Sequence, residues 1–251
     1  MEMNTKIPDL ERPMLRMGSV AFLAGLVIII VSTLFHASRE DPTNHPLVFA
    51  EYAQSDPWMA AHISQFAGVM LIFAGGFVAL YRLLARSESG TASALAWLGF
   101  ATTIVAASTF AILQAVDGIA LKVAVDTWYA IPSSSPPSAD DGEEKAIAFR
   151  VVEGIRWTEI GINSMFRILQ GTVAVIFGVA IAKSVLLSRW IGGFGIFAGA
   201  ATIIAGVGVA YVGFSSSLAL VSVVSTVTSF AWLGILGIFM WRKTRVKIIT
   251  R

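Results

Sequence analysis

The sequence predicts an all-α integral membrane protein of the cell (plasma) membrane, a bundle of six transmembrane helices with both termini in the cytoplasm. Composition is the first reason: 56% of the 251 residues are hydrophobic and only 14% are charged, whereas soluble domains have about 25% charged residues. The second is six apolar runs long enough to cross the ~30 Å hydrocarbon core of a bilayer. The third is that basic residues gather at alternate span ends.

The first apolar run follows Arg16 and ends at His36. Phe35 occupies a place where a signal-peptidase site needs a small residue, so we predict a retained helix rather than a cleaved signal peptide. The whole chain is interpreted as one membrane domain. Its approximate predicted spans are 16–36, 58–82, 92–116, 160–183, 190–213 and 217–241.

The connector 37–57 is acidic and is predicted to be extracytoplasmic. Within it, Pro46 followed by the letters LVFAEYA predicts a short helix at the membrane surface. Pro57 then suits the first position of the second span, and Trp58 suits the membrane interface.

The third and fourth helices are predicted to be longer than a bilayer requires. The helical pattern runs from about Thr91 to Trp128 and from about Glu143 to Ser184, with a loop at 131–142 between them. At ~1.5 Å per residue the third helix is ~55 Å long. We therefore predict that both helices extend beyond the outer face as an antiparallel hairpin around the extracytoplasmic connector 129–144.

The last two spans carry small residues in regular patterns. Gly195 and Gly199 form a small-xxx-small pair, which favours close helix packing within this protein ahead of a dimer interface. In the sixth span Ser222, Ser225 and Ser229 share one face.

Charge distribution sets the predicted orientation. Basic residues lie in both tails and at the pairs Arg82/Arg86 and Lys183/Arg189, whereas the two predicted extracytoplasmic connectors are acidic. The positive-inside rule then places both termini in the cytoplasm. Because these cations are spread over span ends and form no single patch, the bilayer is the predicted partner and nucleic acid is not.

A polar stripe runs along the fourth helix, which is otherwise apolar. With ~100° per residue, six hydrogen-bonding side chains fall within about 60° of Arg156. They are Glu153, Arg156, Glu159, Asn163, Arg167 and Gln170. Lipid cannot satisfy such groups, so this face needs a polar partner surface.

The depth of a residue in the membrane can be estimated by counting residues from the cation at the inner end of its span. This count places polar residues of other helices at the depth of the stripe. His36, His62 and Asn163 each lie twenty residues from the cation at the inner end of their span, a rise of ~30 Å. The polar residues of other helices predicted within about one turn of this level are His62, Gln65, Gln114 and Asp117.

These observations favour an outward-facing polar pocket that binds a small anionic or lipid-like ligand, or a partner membrane subunit. Arg156 and Arg167 are the predicted anion contacts, and no cofactor is predicted. A structural network of salt bridges between helices would use the same residues and stays open as an interpretation.

The alternative function is a membrane redox or metal-dependent enzyme, in which His36 and His62 bind haem or a metal and Asp117 or Glu159 adds oxygen ligands. We expect no stoichiometric haem, and we expect His62 to matter more than His36. The absence of cysteine excludes thiolate ligands. A transporter is the third hypothesis, disfavoured because the inner halves of the predicted spans hold no ionisable residue and all prolines lie outside them.

Single cysteines test the predicted topology, since the chain has none of its own. A membrane-impermeant maleimide should label intact cells at positions 50 and 138, and should label positions 87, 186 and 248 only after lysis. Labelling of position 186 in intact cells would contradict the six-span arrangement.

Overall fold

The computed structural model describes residues 11–36, 41–132 and 139–245, and this part of the chain is helical without strands. Six of its helices are long and apolar enough to span a membrane. The prediction of a multi-pass helical membrane protein is therefore confirmed. Most of the amino tail, parts of both predicted extracytoplasmic connectors, and the end of the carboxyl tail lie outside the described residues.

Seven helices follow one another along the described chain, and the short second one confirms the helix predicted after Pro46. Two of the long helices contain a π-helical segment, at Leu71–Phe77 and at Ala115–Leu121. The helices are α1 (Glu11–Thr33), α2 (His45–Ala53), α3 (Trp58–Leu84), α4 (Gly90–Ala130), α5 (Ala139–Lys183), α6 (Arg189–Val212) and α7 (Ala219–Arg245).

The six long helices form a closed ring. Each packs on the next one along the chain, and α1 packs on α7. The Ser19 hydroxyl donates to the carbonyl of Gly237 over 2.5 Å, and Arg16 donates to the Thr244 hydroxyl over 3.3 Å. Because the first and last helices are joined, all six can face one interior.

Aromatic rings fill one half of that interior. Phe77 stacks on Phe177 with ring centroids 5.3 Å apart, and its centroid lies 6.1 Å from that of Trp232. The Trp232 indole donates to the carbonyl of Ile191 over 3.0 Å, so its one polar group is satisfied. This half of the ring is a packed apolar core.

A second, smaller core lies at the other end of the ring and explains why α4 and α5 are so long. We call this part the cap: α2, residues 121–130 of α4, and α5 as far as Val152. The ammonium of Lys122 donates to the carbonyl of Ala53 over 3.1 Å and ties α4 to α2. The buried apolar residues of this core are Val48, Phe49, Tyr52, Trp58, Leu121, Val125 and Val152.

The predicted boundaries need two corrections. α1 ends at Thr33 and not at His36, because the next three amides bond to carbonyls three residues back and tighten the chain into a turn. The predicted loop 131–142 begins where α4 ends, at Ala130, but it is too long at its other end, because α5 already begins at Ala139. The extracytoplasmic connector 129–144 stays a prediction.

Glycines let α5 and α6 approach closely. A Cβ on Gly199 would lie 2.5 Å from the carbonyl oxygen of Gly171, and one on Gly195 would lie 2.6 Å from the Trp232 ring. The expectation that this glycine pair packs within the protein is confirmed.

Replacing Gly199 with alanine should lower the free energy of unfolding by about 1–3 kcal/mol, because the added methyl group must push the two backbones apart. Gly193→Ala on the same helix is the control, since a Cβ there meets nothing within 4 Å. Thermal unfolding in detergent measures both. Equal stability of the two variants would contradict close packing of α5 on α6.

Candidate functional site

A polar chamber of about 220 Å³ lies inside the ring at the end nearest the cap. All six long helices or the turns that follow them contribute to its wall. It brings together eight of the nine predicted ligand-binding residues, and His36 lies in its wall as well. The eight are Gln65, Gln114, Asp117, Arg156, Glu159, Asn163, Arg167 and Gln170.

Arg156 is a deeply buried charged group of the chamber, with only 2% of its surface exposed. It donates to Glu159, itself 1% exposed, over 2.6 Å. The guanidinium also lies 5.5 Å from the ring of Tyr52 in the cap and 5.1 Å from the ring of Phe214. Ion pairing and the two aromatic faces together stabilise a charge that is otherwise removed from water.

Arg167 lies in the wall of the chamber, and its Nε donates to the Asn163 side chain over 2.8 Å. Arg167 and Phe214 also line a larger hollow of about 630 Å³, which we call the vestibule. Half-buried Arg167 therefore faces both spaces. The other vestibule residues are Asp41, Asn44, Leu47, Val48, Ser215, Ser216, Ala219 and Ser222.

The vestibule also carries one negative charge, at Asp41. The backbone amide of Thr43 donates to this carboxylate over 2.9 Å, and the Thr43 hydroxyl donates over 2.7 Å. These hydrogen bonds, the amide first, hold the pKa of Asp41 below its ordinary value. Asp41 is thus ionised at neutral pH and partly offsets Arg167 in the vestibule.

His62 lies behind the wall, where it holds Asp117. Its Nε2 is 3.1 Å from Asp117 Oδ2, and its Nδ1 is 2.8 Å from the carbonyl of Trp58. The Trp58 indole donates to the carbonyl of Asp117 over 3.2 Å. A Cβ on Gly118 would lie 2.6 Å from the His62 Cβ, so glycine is needed for this close approach.

Asp117 and Gly118 belong to the π segment of α4, a feature that sequence patterns do not predict. The extra residue of a π turn changes which side chains face the ring interior and often marks a functional site. Two buried oxygens here, Gln114 Oε1 and Asp117 Oδ1, have no hydrogen-bond partner among the described residues. Buried oxygens of this kind normally have a donor, so the wall has capacity for a ligand.

Hydroxyl groups from α6 and α7 complete the wall and were not predicted as site residues. Thr202 and Ser229 hydrogen-bond through their hydroxyls over 3.0 Å, and Ser225 lies beside them in the lining. The shared face of Ser225 and Ser229 was visible in the sequence. Phe214 gave no such signal, because its place depends on the turn at Gly213, where φ is +61°.

The chamber ends in an apolar floor. A small cavity of about 30 Å³ continues below it, and Gln170 and Ser229 line both spaces. Its wall below those two residues is apolar, with Phe73, Phe77 and Trp232 among its residues. Polar contacts are thus available at the cap end of the chamber and apolar contacts at its floor.

A double-mutant cycle tests whether Arg156 and Glu159 act as a unit. Arg156→Leu or Glu159→Leu alone should lower the free energy of unfolding by about 3–5 kcal/mol, whereas the double variant should recover most of that loss. Arg150→Leu is the control, since Arg150 pairs with Glu153 at the same spacing but its side chain is 80% exposed. Its effect should stay below about 1 kcal/mol. Additive losses in thermal unfolding would show that the pair is not coupled.

Comparison with known proteins identifies the family of this chain. No curated protein and no solved structure matches the chain. A family model described as "Domain of unknown function (DUF4386)" matches residues 17–243, from α1 to the last turn of α7. The match covers all six long helices and therefore the whole chamber, so this chain belongs to the DUF4386 family.

Proposed function

We propose that this protein binds a small anion, or the anionic head group of a lipid-like molecule, in the polar chamber. The observation that carries the proposal is the position of Arg167, whose side chain lines both the chamber and the vestibule. A guanidinium offers two parallel N–H donors to a carboxylate or phosphate. Buried Arg156 adds a second positive charge deeper in the wall.

The size of the chamber limits the ligand. Pockets for drug-sized molecules measure about 300–1,000 Å³, and this chamber measures about 220 Å³. It suits a small anion or a head group rather than a whole phospholipid. This volume also suits such a molecule better than the side chains of a partner subunit.

The distribution of polarity favours an amphiphile over a fully hydrated anion. Polar groups occupy the cap end, and the space below Gln170 is apolar. A ligand with an anionic head and a short apolar segment would satisfy both parts. Glu159 and Asp117 line the chamber together with Arg156 and Arg167, so its formal charges balance and an anion would be recognised by its fit to the donors rather than by a general positive charge.

The proposed orientation places the cap outside the plasma membrane and both termini in the cytoplasm. Helices α4 and α5 contain 41 and 45 residues, or roughly 60 Å and more at ~1.5 Å per residue, about twice the hydrocarbon core. The cap would then lie in the outer aqueous phase, with the vestibule as the entry to the chamber. The positive-inside distribution of the sequence supports this orientation.

A metal-dependent enzyme is the second candidate, and the proximity of His36, His62 and Asp117 favours it. Haem does not fit, because the two imidazole centroids are only 5.0 Å apart and no porphyrin can lie between them. Glu159 is held by Arg156 and is not part of this cluster. The third candidate, a transporter, gains no support from the aromatic floor of the chamber.

Purified protein in detergent, tested with phosphatidylglycerol, phosphatidylcholine and inorganic phosphate, distinguishes the possible ligands. We expect phosphatidylglycerol to raise the melting temperature more than phosphatidylcholine does. Arg167→Gln should weaken this binding at least about tenfold, the equivalent of one charge-assisted hydrogen bond. Arg167→Lys should fold normally yet bind weakly, since a lysine cannot form the paired contact.

Arg189→Gln is the matched control, because Arg189 is an exposed arginine at the opposite end of the ring. Equal losses in Arg167→Gln and Arg189→Gln would mean that the lipid binds ordinary interfacial cations and would contradict the proposal. A response to inorganic phosphate but not to the lipid would identify a soluble anion. No response to either probe would overturn anion binding.

A further inference from the structure

We infer that His36, His62 and Asp117 form a binding site for a divalent transition-metal ion in the wall of the chamber. Each residue offers a ligand atom, and these atoms all lie within 4.8 Å of one another. They come from three elements: the turn after α1, helix α3 and the π segment of α4. Two imidazole nitrogens and one carboxylate oxygen form a set typical of metal sites that keep an open position.

The hydrogen bonding of His62 is the second observation that points to a cation. A backbone carbonyl can only accept, so the 2.8 Å contact with Trp58 places a proton on Nδ1. In the neutral imidazole the lone pair then lies on Nε2, directed at Asp117 Oδ2 only 3.1 Å away. A contact of this kind is held together either by a proton or by a metal cation. Metal-binding histidines commonly have their other nitrogen fixed by a carbonyl in this way.

Distances fit a small ion with modest adjustment. Two donors on one tetrahedral Zn²⁺, each about 2.1 Å from the ion, lie roughly 3.4 Å apart. The His62–Asp117 contact already meets this spacing. His36 lies in the short turn after α1, and its ring centroid is already 5.0 Å from that of His62.

The second oxygen of Asp117 is a further observation at this site. A proton shared between His62 and Asp117 Oδ2 would leave Asp117 Oδ1 buried and without a donor among the described residues. A metal ion bound by this carboxylate could also contact Oδ1.

The open position of such a site would face the chamber, since His36 and Asp117 line it. A divalent ion with one carboxylate ligand keeps a net positive charge. It would therefore favour an anion or a hydroxide as its next ligand, on the side where Arg156 and Arg167 lie. The metal inference does not depend on the proposed anion, because binding of the metal can be measured without one.

The test uses full-length protein purified with a tag that contains no histidine, stripped with a chelator and titrated with Zn²⁺ and with Co²⁺. We expect about one ion per chain, with visible Co²⁺ bands of nitrogen–oxygen ligation. Asp117→Asn and His36→Ala should each weaken binding at least about tenfold. His45→Ala is the matched control, since it removes the only histidine outside the cluster.

Size-exclusion profiles and melting temperatures measured without metal show which variants are folded, so that loss of metal binding can be told from loss of structure. His36 is half-buried, so His36→Ala should remain folded even if Asp117→Asn does not. Tight binding that survives His36→Ala, or parent protein that takes up no Zn²⁺ or Co²⁺, would overturn the inference. Loss of metal in His45→Ala alone would place the site in the cap instead.

Discussion

The buried guanidinium of Arg156 joins the two parts of this molecule. Its partner Glu159 belongs to the same helix, Tyr52 belongs to the cap, and Phe214 belongs to the turn after α6. A charge withdrawn from water is stable only while its partners stay in place. Arg156 therefore joins the cap to the ring at the wall of the chamber, in addition to the apolar core of the cap.

The same constraint explains why the sequence was informative about the site. Hydrogen-bonding groups in a bilayer must find partners inside the protein, so a polar stripe on an apolar helix has to face the bundle. The rise per residue of a helix is fixed, and counting from the inner cations therefore placed Gln114 and Asn163 at one level. Both line the chamber, together with Arg156 and Arg167. Helical periodicity and the fixed rise per residue were therefore enough to predict that these residues lie together.

Features that depend on contacts distant in the chain could not be predicted in this way. A π turn in α4 adds one residue to a helix without changing its composition, yet it sets the direction of Asp117. The glycine at 118 could be seen in the sequence, but its reason, the His62 side chain against it, could not. Closure of the ring by α1 and α7 brought Ser225 and Ser229 to the chamber, and nothing local to α7 indicates which neighbour its serine face meets.

The chamber has one polar end and one apolar end, and this asymmetry bears on mechanism. An ion that moved from Gln170 toward the opposite end of the ring would leave its last polar contacts and enter a space lined by Phe73, Phe77 and Trp232. Desolvation of a charge in such surroundings costs several kcal/mol, and alternating access usually relies on broken helices to avoid it. A chamber that is polar at one end and apolar at the other suits the proposed binding, or chemistry on a bound anion, rather than passage. The proposed metal site lies at the polar end, beside both arginines, where a ligand held by Arg167 would meet it.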